Sequence, residues 1–169
     1  WESRVGLTSI LSEEIRKCTS PPSVLVSASA VGFYGDRGDE ILTEESQQGE
    51  GFPSDLCVAW EKAALNTESN RTRVCILRLG IVLGREGGIL GLITPFFRTG
   101  IGGYLGNGLQ YIPWINLLDV LRIIKDCIEQ PNFSGIFNCT SPNPVRSRVF
   151  SKEVGSLTSA KIVLRVPTL

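Results

Sequence analysis

The chain has 169 residues, 42% of them hydrophobic, and its 17 basic side chains balance 17 acidic ones. That is enough for one ordinary domain with a real core, and it argues against disorder. The charge balance removes the electrostatic case for nucleic acid or an anionic membrane as partner. The longest apolar runs fall far short of the roughly 20 residues a membrane-spanning helix needs, and no signal or transit peptide is visible.

Histidine is absent. Imidazole acid–base chemistry and histidine-ligated metal are therefore excluded, and no metal site is expected. The five cysteines, Cys18, Cys57, Cys75, Cys127 and Cys139, form no C-x-x-C pair and read as reduced, buried thiols of an intracellular protein. Sequons at Asn70, Asn132 and Asn138 would matter only in a secreted chain. Methionine is also absent, so the chain is expected to begin inside a longer protein.

In chain order, "SRVGLTSILSEEIRKC" carries Val5, Leu7, Ile10, Leu11 and Ile15 at helical spacing, with Ser3 placed to cap it. "TSPPS" breaks that helix. "VLVSAS" predicts a short strand buried on both faces. Residues 35–51 alternate glycines and acids with polar groups and read as a long loop, of the kind that is often functional. "FPSDLCVAWEKAALNTE" predicts a helix with Pro53 in its first turn and Leu56, Ala59, Trp60, Ala63 and Ala64 on one face.

"RVCILRLGIVLG" reads as a second buried strand running into a glycine-punctuated loop. "ILGLITPFFRTG" predicts a short helix that Pro95 should kink or break. "IGGYLGNGLQ" reads as a turn-rich loop and "YIPWI" as a short strand. An amphipathic helix over "NLLDVLRIIKDCIEQP", a third strand at "GIFNCTS" and a helix over "RSRVFSKEVGSLTS" follow, and "KIVLRVP" leads off the end. Strands alternating with helices predict an α/β fold with a parallel sheet. Arg78, at the end of the second strand, has two readings: a structural partner for Asp119, or a contact to a substrate anion.

Six blocks stand in a distinctive order: "SASAVGFYG", "LCVAWEKAA", "RLGIVLGREGG", "GGYLGNGLQ", "PWINLLDV" and "FNCTSPNPV". Together they resemble the extended short-chain dehydrogenase/reductase superfamily, and within it the atypical SDR39U1-type epimerase family. The resemblance covers about residues 3 to 158. It implies a partial Rossmann-like doubly wound parallel sheet, represented by its later strands only, with a small C-terminal substrate-side region. Residues 1–84 would be the rest of an NAD(P)-binding domain, and 85–169 a mixed region of later strands and substrate-side segments.

Members of that superfamily open with a strand, a G-x-G-x-x-G-type turn and a helix that hold the cofactor pyrophosphate. No such segment is present here, and "GIGGYLGNG" is a poor substitute because it follows no parallel strand and opens no clear helix. With strand order 3-2-1-4-5-6, "VLVSA" would be strand 4 without its neighbour. An exposed strand edge and poor folding of the chain alone are expected.

The resemblance implies site residues as well. Ser29 matches the hydroxyl that bonds the reacting oxygen in classical members, where a Tyr-x-x-x-Lys pair carries the proton and the Lys lowers the phenol's pKa. That dyad is not found: Leu56 or Cys57 stands in the Tyr place, Trp60 or Glu61 in the Lys place, and Lys62 is out of register. Tyr34 is the one tyrosine near the serine and the remaining proton-donor candidate. Ala28, Ser29, Gly80, Ile81 and Val82 are the expected cofactor contacts, small or apolar where a flat ring must come close. Arg78, Gln110, Trp114 and Asn116 are the expected substrate contacts, with Asn116 standing where the family has His.

The implied cofactor is NADP, by family resemblance alone. The implied function is an NADP(H)-linked oxidoreductase or nucleotide-sugar-epimerase-like protein acting on an unknown small molecule. Two alternatives remain: a non-catalytic regulatory protein that reuses the fold, as in plastid-division-linked plant relatives, or a truncated form without function. The implied location is intracellular: chloroplast, cytoplasm or mitochondrion.

Overall fold

The computed structural model describes residues 1–85, 87–158, 160 and 162–166. By contacts the chain divides into two compact units, Trp1–Leu79 with Leu121–Cys139, and Gly80–Val120 with Thr140–Leu169. Among the described residues, no helix is long and apolar enough to cross a membrane.

The first unit is built on three parallel strands, β1 (Val24–Ala30), β2 (Arg73–Leu79) and β7 (Gly135–Cys139), in the order β1-β2-β7. Strand β2 lies in the middle because its sequence can be buried throughout: Val74 to Arg78 form an unbroken buried run. Strand β1 was expected to be buried on both faces. It is an edge strand instead, only partly covered, with Ala28 exposed between buried Ser27 and Ser29. Its register places Ser29 opposite Arg78, and β7 places Asn138 on the other side of the same arginine.

Helix α1 (Leu7–Lys17) follows a π-helical turn at Glu2–Gly6, and Ser3 lies within that turn instead of capping a helix. Its inward residues are Ser12 and Ile15, while Leu7 and Ile10, expected on the apolar face, are 63% and 61% exposed. Helix α2 (Phe52–Leu65) opens after Gly51, at φ +91, with Pro53 in its first turn as expected. Its fully buried stripe is Ser54, Cys57, Glu61 and Ala64, with Ala63 beside it. The expected apolar residues Leu56, Ala59 and Trp60 are only half-buried. Ala64 joins Val74 and Ile76 at the centre of the core, with Leu25, Leu65 and Ile136 against them.

The long loop after β1 is closed at its base. Ser54 donates to the carbonyls of Phe33 and Gly49, and the Gly49 N–H returns to Phe33. Position 49 must be glycine, since a Cβ there would lie 2.2 Å from the Tyr34 carbonyl oxygen.

Among its described residues the second unit has three two-stranded sheets: β3 (Ile81–Leu83) with β6 (Trp114–Asn116), β4 (Ile101–Leu105) with β9 (Ile162–Val166), and β5 (Tyr111–Ile112) with β8 (Val145–Arg146). The expected strand "RVCILRLGIVLG" is therefore two strands in two sheets, parted at Gly80. "YIPWI" is likewise two strands, parted at Pro113. Helix α3 (Gly88–Arg98) runs through Pro95 without a break, forgoing the one bond to Gly91 that proline cannot make.

The glycine cluster also departs from a turn-rich loop. Its first part is strand β4, parallel to β9, and it is glycine-rich for packing reasons. A Cβ at Gly102 would fall 2.2 Å from the buried Phe97 ring, and one at Gly103 would fall 2.9 Å from Val166. Helices α4 (Leu117–Glu129) and α5 (Ser147–Thr158) lie where the sequence places them. "KIVLRVP" contributes β9; its Lys161 and Pro167 lie outside the described residues.

Four of the five cysteines are buried and Cys18 is exposed, all as free thiols. Burial, reinforced by Cys75, pushes Cys127 up to about 12, and burial with Glu44 pushes Cys139 up to about 11. At pH 8 a thiol reagent should therefore label one cysteine in the folded protein and five in guanidinium chloride. The same shifts set a pH dependence. The folded state holds these protons above the ordinary thiol value of 9.0, so stability contributed below pH 9 should be lost as pH rises toward 11 to 12. Urea midpoints measured between pH 8 and pH 11 check this, and Cys139→Ala should reduce the fall.

Candidate functional site

An arginine in a buried central strand requires an anion, because an unpaired charge in the interior is too costly. Arg78 is 2% exposed, and its partner is Glu61, 5% exposed, on α2. The two meet in bidentate fashion: Nε donates to Oε1 at 2.9 Å and Nη2 donates to Oε2 at 2.8 Å. The second terminal nitrogen, Nη1, donates to the Tyr34 hydroxyl at 2.9 Å and to the Glu44 carbonyl at 3.3 Å. The guanidinium also lies 3.4 Å from the centroid of the Phe33 ring. Burial acts against its charge, but the bonds to Glu61 and Tyr34 outweigh that and hold its pKa above the usual arginine value.

The cluster continues at both ends. The Tyr34 hydroxyl donates to Asn138 Oδ1 at 2.6 Å, and the Asn138 N–H donates to Glu44 Oε1 at 2.7 Å. On the other side, the Ser29 hydroxyl donates to Glu61 Oε1 at 2.6 Å. Cys57, one helical turn before Glu61, sits beside Ser29. Burial pushes its thiol up, while the Ala30 N–H and the Ser29 hydroxyl pull it the other way.

Ser29 and Cys57 form part of the wall of a cavity of about 640 Å³ within this unit. Ala28, Ala30 and Gly32 make that wall small, and Pro53, Leu56, Trp60 and Leu79 make it apolar. At the α1 side, Trp60 donates its indole N–H to Thr8 at 3.0 Å, and the Arg4 guanidinium lies 5.3 Å from the Trp60 ring centroid. Among the described residues, no cluster of three or more His, Cys, Asp or Glu is arranged to hold a metal ion.

No family model matches the chain. The chloroplastic SDR39U1 homologue of the epimerase family from Arabidopsis thaliana is 37% identical over 167 residues, 98% of this chain and 48% of that protein. The structure of human epimerase family protein SDR39U1 with NADPH superposes with a TM-score of 0.92 at 31% identity, covering 98% of this chain and 56% of that one. The chain is a homologue of the SDR39U1-type epimerase family proteins. A nucleoside-diphosphate sugar epimerase from Corynebacterium glutamicum superposes with a TM-score of 0.82 at 37% identity, over 96% of this chain and 36% of that one. The chain spans about half the length of the relatives it matches. The expected α/β Rossmann-like fold agrees with these matches.

The residues expected in the site are dispersed. Ala28 and Ser29 are together on the cavity wall. Tyr34 is 3% exposed with its hydroxyl engaged by Arg78 and Asn138, a structural position with no open side toward a ligand. Arg78 pairs with Glu61, where Asp119 or a substrate anion was expected. Gly80, Ile81 and Val82 lie in the second unit. There Gly80 has a packing reason to be glycine, since a Cβ would sit 2.1 Å from the Pro113 carbonyl oxygen. Trp114 is half-buried in β6, and Asn116 Oδ1 accepts the Leu118 N–H at 2.8 Å, so it caps α4. Gln110 is exposed and donates to the Leu105 carbonyl.

Glu61, Glu44 and Asn138 were not expected in the site. The signal for Glu61 was present: an arginine within "RVCILRL" demands a buried acid, and Glu61 interrupts the apolar face of the neighbouring helix. Removing one partner of such a pair leaves a buried charge, so Glu61→Ala should cost about 3–5 kcal/mol. Replacing both partners by Met should change urea-unfolding stability by no more than about 1 kcal/mol, because no charge is then left unpaired.

Proposed function

We propose that this chain is part of an NADP(H)-linked oxidoreductase or epimerase-like protein, and that its share of the site is the wall around Ser29. The observation that carries the proposal is the likeness to the NADPH-bound human structure along 98% of the chain at a TM-score of 0.92. A wall of Ala28, Ala30 and Gly32, with Leu56 and Leu79 nearby, suits the flat nicotinamide end of such a cofactor. The nicotinamide, when bound, supplies or takes up hydride. Ala28 and Ser29 are the proposed cofactor contacts of the first unit. The chloroplastic name of the Arabidopsis relative supports a plastid location.

One observation favours the second reading, a non-catalytic binding role. The positions that would hold the tyrosine and lysine carry Leu56 or Cys57 and Trp60 or Glu61, and the Tyr34 hydroxyl is bonded to Arg78 and Asn138. A thermal scan of the full-length protein with and without NADPH separates the two. NADPH at 100 times its dissociation constant should add about 2.7 kcal/mol of stability, and Ser29→Trp, which fills the wall, should abolish the gain. No response from the wild type would leave the non-catalytic reading.

A further inference from the structure

The hydroxyl of Ser29 has one proton and two lone pairs, and the structure fixes where the proton goes. Oγ lies 2.6 Å from Glu61 Oε1. That carboxylate also receives Arg78 Nε and Nη2 at 2.9 and 2.8 Å, so both of its oxygens already serve as acceptors. The proton in the 2.6 Å bond is therefore serine's. Turning it toward the cavity would exchange a charge-assisted bond for a weaker neutral one. Arg78 and Glu61 are nearly inaccessible to water, so the carboxylate would lose the Ser29 donor without replacement from solvent.

We infer that Ser29 faces the cavity as a hydrogen-bond acceptor, and that the ligand group placed against it is a donor, a hydroxyl or an N–H, in preference to a carbonyl oxygen. The inference rests on the cavity being a small-molecule site and narrows what that site takes: an alcohol or amine form over the corresponding ketone. It also narrows the expectation that Ser29 bonds the reacting oxygen. Glu61 acts through Ser29 as a positioning residue, and Arg78 acts through Glu61. Of the neighbouring wall residues, Ala28, Ala30, Leu56 and Leu79 carry no side-chain donor; the Cys57 thiol beside Ser29 is a weak one, and Arg4, Thr8 and Trp60 stand at the α1 side.

The test uses cyclohexanol and cyclohexanone, matched in size and differing in the donor, titrated into the full-length protein. Binding is read from the Trp60 indole N–H resonance in an NMR spectrum, assigned with Trp60→Phe. Cyclohexanol should bind about fivefold more tightly. Ser29→Ala should bring the ratio close to one. The Glu61→Met/Arg78→Met double variant should free the serine proton and raise the affinity for cyclohexanone at least to that for the alcohol. A role limited to holding the fold together would leave that ratio unmoved.

Equal binding of the two probes in the wild type, a preference that survives Ser29→Ala, or no displacement of the Trp60 signal by either probe would each overturn the inference. Failure of NADPH to stabilise the protein, with the alcohol preference intact, would sink the cofactor proposal and leave the acceptor assignment standing.

Discussion

The bidentate pair between Arg78 and Glu61 is the constraint on which the first unit depends. An arginine in the middle of a buried parallel strand must be neutralised on the spot, and every neighbouring segment contributes to that. The 3-10 turn after β1 supplies Phe33 and the Tyr34 hydroxyl, the loop at 35–51 a carbonyl, and α2 the carboxylate. Strand β7 adds Asn138 through Tyr34. What holds these segments in register is a chain of charge-assisted bonds around one guanidinium. Such a pair adds little net stability over an apolar replacement, and its worth lies in fixing one arrangement.

The same pair decides what the cavity wall can do. A lysine near a phenol would lower the phenol's pKa and ready it to give up a proton. A glutamate held by arginine does something different to a serine: it takes the serine's proton as a permanent hydrogen bond. In this register, Cys57 and Glu61 therefore do not form a weakened version of a Tyr–Lys dyad. They set up an acceptor surface bordered by small and apolar groups.

Much of the fold was legible because it rests on local patterns. Helices α2, α4 and α5 and strands β1, β2 and β7 follow from apolar spacing, capping and breakers. The misjudged elements depend on distant partners. "RVCILRLGIVLG" reads as one strand running into a loop, and only its distant pairing with β6, with Pro113 close to Gly80, makes the last part a strand of its own. "IGGYL" reads as loop because glycine is a poor strand former, yet the Phe97 ring on Gly102 and Val166 on Gly103 require those glycines within a strand. In the site, Ser29 was legible from its place at a strand end. Glu61 was missed because helical periodicity ranks hydrophobic residues and passes over a charge on the inner face, although the arginine in "RVCILRL" called for a buried acid. Tyr34 and Asn116 suggested chemistry by residue type, and their hydrogen bonds give them structural work instead.

The wall around Ser29 also limits the chemistry available there. A serine becomes a nucleophile when a neighbouring base can take its proton and release it again. Glu61 accepts the Ser29 hydrogen bond but is clamped by two arginine donors, so both its oxygens are already engaged. Cys57 would need a lowered pKa, yet burial pushes its thiol up, and the nearby Arg78 is spent on Glu61. Neither residue is equipped to attack a substrate, so covalent catalysis through this wall is disfavoured. A reaction at this wall would draw its reactive group from what binds there, while the protein supplies placement, dryness and an acceptor held at one point.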